Sequence, residues 1–214
     1  MIKLDSLNRA EAVRYLGGSG IDLDDKMNRL LDECEAEILS CAQPKYLYKI
    51  IDLPCDEIMR GRDIASHLEG CDSAVLMCAT LGAEVDRLIR IAQISDMARA
   101  VVLDSLASVA IEQVCCKVDE MLSQLMPEKY MTFRFSPGYG DYPIELQKYF
   151  LHTLDSARKI GLSTNDSYLL IPAKSVTAVA GISGKPIEQK KRGCAVCNLR
   201  DRCKFRKTGM HCGF

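Results

Sequence analysis

The segment Arg134-Phe135-Ser136-Pro137-Gly138-Tyr139-Gly140-Asp141-Tyr142-Pro143 decides how the rest of the chain is read. Its prolines fix φ and its glycines permit positive φ, so it continues neither a helix nor a central strand. It is a shaped loop between a strand-like run, Tyr130 to Phe135, and a helix-like run, Ile144 to Lys159. Arg134 carries a planar fork of donors that suits a carboxylate or phosphate. Two readings stand at this point. The segment is a rigid surface turn, or it is a binding loop held out by a scaffold.

Upstream, Asp96 opens a long helix that runs to about Met126 and is stopped by Pro127. Its first half is crowded with small residues (Ala98, Ala100, Ser105, Ala107, Ser108, Ala110), which let neighbouring backbones approach closely. Glu112 follows Val109-Ala110-Ile111 and reads by itself as a helix-surface carboxylate. Cys115 and Cys116 are adjacent, so on a helix they point in different directions and form no ligand pair.

Further back, Gly82 to Ile94 is an amphipathic helix and Ser73 to Leu81 a buried strand. Cys71 and Cys78 flank that apolar run as small core hydrophobes. Asp63 to Leu68 is a short helix on which His67, with no second ligand near, reads as a solvated residue. Tyr46 to Leu53 is a β-type run closed by Pro54. Asp22 or Asp24 caps a helix with apolar positions Met27, Leu30, Leu31, Cys34 and Ile38, ended by Pro44. Residues 1–20 are mixed and close on Gly17-Gly18-Ser19-Gly20. Downstream of the loop, Asp166 to Ile171 and Val176 to Ile182 read as strands. Helices and strands mix without regular βαβ alternation, so the expected class is α+β: a largely antiparallel sheet with several helices, one of them long (about 96–126).

The chain has 214 residues, 48% hydrophobic and 27% charged, as in an ordinary globular domain. Net charge is −1, which removes any global electrostatic argument for nucleic acid. Charge is uneven, however. Lys185 to Lys207 holds nine basic and two acidic residues, leaving about −8 on the rest. The expected division is therefore a domain over 1–183 and a basic cysteine-rich tail over 184–214. The N-terminus has no apolar leader-like region and no apolar run reaches the roughly 20 residues of a membrane span, so a cytoplasmic protein without membrane contact is expected. Eleven cysteines there imply thiols or metal ligands rather than a disulfide framework.

Cys194, Cys197, Cys203 and Cys212 are spaced C-x2-C-x5-C-x8-C in a polar segment. The C-x2-C pair matches the bite of one tetrahedral metal or one edge of an iron–sulfur cube. Zinc, an iron–sulfur cluster and incidental cysteines all remain open, and His211 can stand in for Cys212.

Three places share a pattern with one family. Arg134, Gly138-Tyr139 and Pro143, with Pro137, follow Arg, three residues, Gly-Tyr, three residues, Pro. Ser105-Leu106-Ala107 with Glu112 forms a small-Leu-Ala segment with a glutamate at a fixed offset. Asp166-Ser167, Pro172 and Ser175-Val176 follow an acidic-Ser, Pro, Ser-Val order. Together, over residues 104–183, these resemble the activation domain of cobalamin-dependent methionine synthase. The resemblance implies a C-shaped α+β domain that binds S-adenosylmethionine in a shallow groove. It implies that Arg134 pairs with the methionine carboxylate, that the backbone about Ser136 and Gly138 binds polar groups, and that Glu112 complements the cationic end. Tyr139 would lie against the corrin, in the catalytic role.

The implied function is reductive remethylation of cobalamin carried in trans by a corrinoid protein, or by a methionine synthase lacking its own activation domain, with an external electron donor. That electron favours iron–sulfur over zinc in the tail. Two other functions remain open: a non-catalytic metal-binding adaptor docking on a corrinoid or other acidic partner, and a nucleic-acid-binding zinc tail, which the acidic body and few aromatics disfavour.

Overall fold

The computed structural model describes residues 2–17 and 23–187. Its centre is a four-stranded antiparallel sheet in the order β1 (Lys45–Asp52), β2 (Ser73–Thr80), β6 (Ser175–Ser183) and β3 (Tyr130–Met131). β1 pairs with β2 from Lys45↔Thr80 to Asp52↔Ser73, and β2 with β6 from Ser73↔Ile182 to Thr80↔Ser175. β2 is buried along nearly its whole length because both faces of the sheet are covered.

Alternation along β2 divides the core. Val75, Met77 and Ala79 face the packing of α1 (Arg9–Tyr15), α2 (Asp25–Cys41), α4 (Ala83–Ser95) and α5 (Met97–Leu125). Ala74 and Leu76 face Ile58, Ile64, Tyr142, Leu146 and Phe150, with contributions from α3 (Arg62–His67) and α6 (Leu146–Leu154). Each fully buried large apolar side chain contributes about 1.5–3 kcal/mol, and the period-2 pattern pins the register because a one-residue slip would exchange the faces.

α5 forms as the sequence predicts. Asp96 caps it by accepting from the Arg99 N–H at 3.0 Å, and it ends one residue before Met126. Its small residues serve close approach: Ser105 donates to the Ala12 carbonyl at 2.6 Å, seating α1 against it. Asp24, rather than Asp22, caps α2. Among the described residues no helix is long and apolar enough to cross a membrane. Of the described cysteines, Cys78 and Cys115 are buried and Cys116 is exposed, whereas Cys71, expected in the core, is only half-buried.

Several expectations needed correction. His67 is not solvated; it is 6% exposed and held against residues 132–135. The run 144–159 is two helices, α6 and α7 (Ser156–Ile160), because Asp155 adopts a left-handed φ of 55°. The expected strand 166–171 shrinks to β5 (Leu170–Ile171), which pairs with β4 (Ser163–Thr164) in a separate ribbon. Asn165 supplies the reason: its side chain accepts from Ser167 N and Leu169 N and turns the chain. α1 lies in the segment that read as mixed.

The run 130–135 is strand only at its start. Met131 opposes Ile182, and pairing resumes as an isolated bridge between Phe135 and Val179. That interval holds one more residue on the 131–135 side than on β6, which is a bulge. Its effect is visible in the packing. Met131 faces the α5 side of the sheet, whereas Phe135, of the same parity, faces the other. The bulge thus changes the side of the sheet to which the following residues are directed.

Candidate functional site

Arg134 lies beside α5. Its Nη2 donates to Glu112 Oε2 at 3.0 Å, and its Nε is 3.3 Å from Asp119 Oδ2. Cys116 Sγ lies 4.0 Å from Nη2. Residues 112, 116 and 119 recur at helical spacing, so one face of α5 presents two carboxylates and a thiol to one guanidinium. The Arg134 side chain is 18% exposed, while Glu112 is half in solvent. Nη1 of Arg134 is buried and has no hydrogen-bond partner among the described residues. A buried donor without a partner costs about 1–3 kcal/mol, so an acceptor that reached it would be well rewarded.

Partial burial of the sulfur beside Arg134, with Asp119 and Glu112 adding, pushes the Cys116 thiol up from its ordinary value even though the residue reaches solvent. The N-terminal helix reaches the same area. Burial raises the Tyr15 hydroxyl, and the Glu11 and Glu112 carboxylates raise it further. Arg14 lies over the Tyr15 ring at 4.7 Å.

Beyond Arg134 the loop is closed by its own backbone. Gly138 N donates to Tyr142 O at 2.8 Å, Tyr139 N to Ser136 O at 3.2 Å and Tyr142 N to Tyr139 O at 2.9 Å. Gly138 and Gly140 have φ of 95° and 55°, values that side-chain-bearing residues rarely adopt. Tyr142 is buried beneath the loop, and Tyr139 at its crest is 59% exposed. The Tyr139 ring stands edge-on to Phe135 with centroids 6.3 Å apart.

Asp141 fastens the loop from the other side, accepting from Asp63 N at 3.0 Å and Arg62 N at 2.9 Å. The bond from Asp63 N, then that from Arg62 N, holds the Asp141 carboxyl below the usual aspartate range. A lowered folded-state value makes this contact fully present above the ordinary aspartate value and lost as pH falls through the lowered one. Acidification should therefore lower the amide protection factors of residues 138–142, relative to intrinsic exchange at the same pH, before those of β2 or β6, as two-dimensional NMR would record. Simultaneous loss of both sets of amides would contradict the assignment.

Of the residues expected from sequence, Glu112 and Arg134 are in direct contact, and Ser136, Gly138 and Tyr139 form one turn beginning two residues later. Cys194, Cys197, Cys203 and Cys212 lie outside the described residues. Among the described residues no group of three or more metal-ligating side chains comes together. Asp119 and Cys116 were not anticipated, although their spacing of seven and four from Glu112 was available. Asp63 and Asp141 carried no such signal, because 78 residues separate them.

No known family model matches the chain, and no curated protein matches it. Among solved structures, a crystal structure of the MetH reactivation domain bound to AdoHcy aligns with a TM-score of 0.56 at 14% identity, over 94% of this chain and 73% of that one. The α+β fold, with its antiparallel sheet and several helices, is thus similar to that of the MetH reactivation domain.

Proposed function

We propose that this protein binds S-adenosylmethionine beside α5 and supports the reductive remethylation of cobalamin carried by a separate corrinoid protein or methionine synthase. The observation that carries the reading is Arg134, set between Glu112 and Asp119 with a buried Nη1 unpaired. One guanidinium beside two carboxylates suits a ligand that has a carboxylate of its own and excess positive charge. S-adenosylmethionine, with an ammonium, a sulfonium and a carboxylate, fits that donor set. The likeness to a domain crystallised with AdoHcy supports the choice.

In this reading Arg134 binds the ligand carboxylate and Glu112 the cationic end. The backbone at Ser136 and Gly138 holds polar groups, and Tyr139 offers its exposed ring to the corrin. When bound, S-adenosylmethionine supplies the methyl group, and an external donor supplies the electron. The chain's own contribution is to bind and orient. Isothermal calorimetry of S-adenosylmethionine with the purified protein tests the reading, and absence of binding would end it.

Tyr139→Ala should leave affinity within about twofold, because the ring stands in solvent and, among the described residues, touches only the Phe135 ring. Remethylation of a partner's cobalamin should slow by about two- to tenfold, since aromatic stacking is worth roughly 0.5–1.5 kcal/mol. Weakened binding with unchanged remethylation at saturating ligand would reverse the role.

The segment 184–214 is proposed as a second unit in which Cys194, Cys197, Cys203 and Cys212 hold one metal centre, an iron–sulfur cluster in preference to zinc. Its few large apolar residues cannot offset about 1–2 kcal/mol of backbone entropy per ordered residue, and ligation supplies that stabilisation. Anaerobically purified protein should be brown and contain iron and sulfide. Stoichiometric zinc instead would keep the site and remove its redox role.

A further inference from the structure

We infer that α3 is a splint for the 132–141 segment, and that Asp63 and His67 are positioning residues that hold both ends of it ready for ligand. The two residues are one helical turn apart, so their side chains leave the same face of α3. Each takes one end of the segment.

At the far end the bonding is reciprocal. Asp63 Oδ2 accepts from Asp141 N at 3.1 Å, while Asp141 accepts from the N–H groups of Arg62 and Asp63. The glycine backbones lie close against the two carboxylates there. A Cβ on Gly61 would come within 2.7 Å of Asp141 Oδ1, and one on Gly140 would be driven into the Asp63 carboxylate. Both glycines also have positive φ, so neither the approach nor the conformation is open to another residue without strain.

At the near end, His67 Nε2 lies 2.8 Å from the Phe133 carbonyl and 2.9 Å from Thr132 Oγ1. A carbonyl only accepts, so Nε2 carries the proton and donates to both. Thr132 Oγ1 also accepts from Gly181 N at 2.8 Å, which links the histidine through the threonine to β6. The imidazole packs against the Phe133 and Phe135 rings at 4.4 and 5.1 Å. These residues flank Arg134, where the bulge leaves the segment with little ladder pairing of its own. α3 supplies what the bulge removes.

The inference rests on the proposed ligand site, because a held loop matters only if something binds to it. Its test separates the two. Hydrogen exchange by mass spectrometry on the ligand-free full chain is compared for wild type, Asp63→Ala and Asp63→Asn. Asp63 is exposed, so neither substitution disturbs the core. Asp63→Ala should exchange about tenfold faster across 138–142 with β2 and β6 unchanged. Asp63→Asn keeps an acceptor for Asp141 N and should stay near wild type. S-adenosylmethionine affinity should fall about tenfold in Asp63→Ala and return in Asp63→Asn, since ordering a freed loop is charged against binding. His67→Gln, which retains a donor, should bind better than His67→Ala. Exchange in Asp63→Ala equal to wild type overturns the splint, and so does faster exchange with unchanged affinity. A wild-type protein that binds no S-adenosylmethionine overturns the proposed function, and the exchange comparison alone then decides whether α3 holds the loop.

Discussion

Replacing Arg134 with alanine should lower S-adenosylmethionine affinity about ten- to a hundred-fold, the loss of a charge-assisted forked contact worth roughly 1.5–3 kcal/mol. The structure sharpens this expectation in two ways. Nη1 is buried and unpaired among the described residues, so the substitution removes a donor still open to a ligand acceptor. It also leaves Glu112 and Asp119 on one face of α5 without their shared cation, and these repel a ligand carboxylate. Both carboxylates reach solvent, Glu112 more than Asp119, so folding should be affected little, and the thermal midpoint serves as a control for the affinity measurement. Arg134→Lys should recover little, since a single ammonium cannot reach Glu112, Asp119 and a ligand at once. Equal binding by wild type and Arg134→Ala in calorimetry would remove Arg134 from the site.

Phe150→Ala should be the most destabilising change near the site, at about 3–5 kcal/mol. Phe150 is fully buried between the sheet and the loop, in the cluster that holds Leu76, Val179, Ile64, Leu146 and Tyr142. Truncation leaves a cavity that the sheet cannot close, because β2 is fixed by pairing on both edges. In a chain of this size the midpoint should fall by roughly 10 °C. Tyr142 loses its support, so the loop should also open first on heating. Urea unfolding followed by circular dichroism checks the magnitude. A loss below 1 kcal/mol would show that this face of the sheet is loosely packed.

The site was legible in the sequence in proportion to how local its causes are. Gly138, Gly140 and the flanking prolines announce a shaped loop, because φ preferences belong to single residues. The three-part pattern led to a fold that a structural neighbour at 14% identity shares. Asp119 was within reach of the same reasoning, one helical face away from Glu112. His67 was misread because its partners, Thr132 and the Phe133 carbonyl, lie 65 and 66 residues on and no spacing rule connects them.

By itself, then, the sequence determined the elements whose signals repeat: the long helix over 97–125 with its Asp96 cap, the buried strand β2, and the α+β class. A periodic apolar pattern reports burial wherever the element comes to lie, so it survives ignorance of the fold. Tertiary structure alone decided three things: that the 130–135 run bulges, that Arg134 thereby meets Glu112 and Asp119, and that α3 holds both ends of the segment. Each depends on which backbone groups are left unpaired once the sheet has formed. A bulge transfers side chains between faces without leaving a mark in composition, and a reciprocal bond between Asp63 and Asp141, 78 positions apart, exists only after the intervening chain has folded.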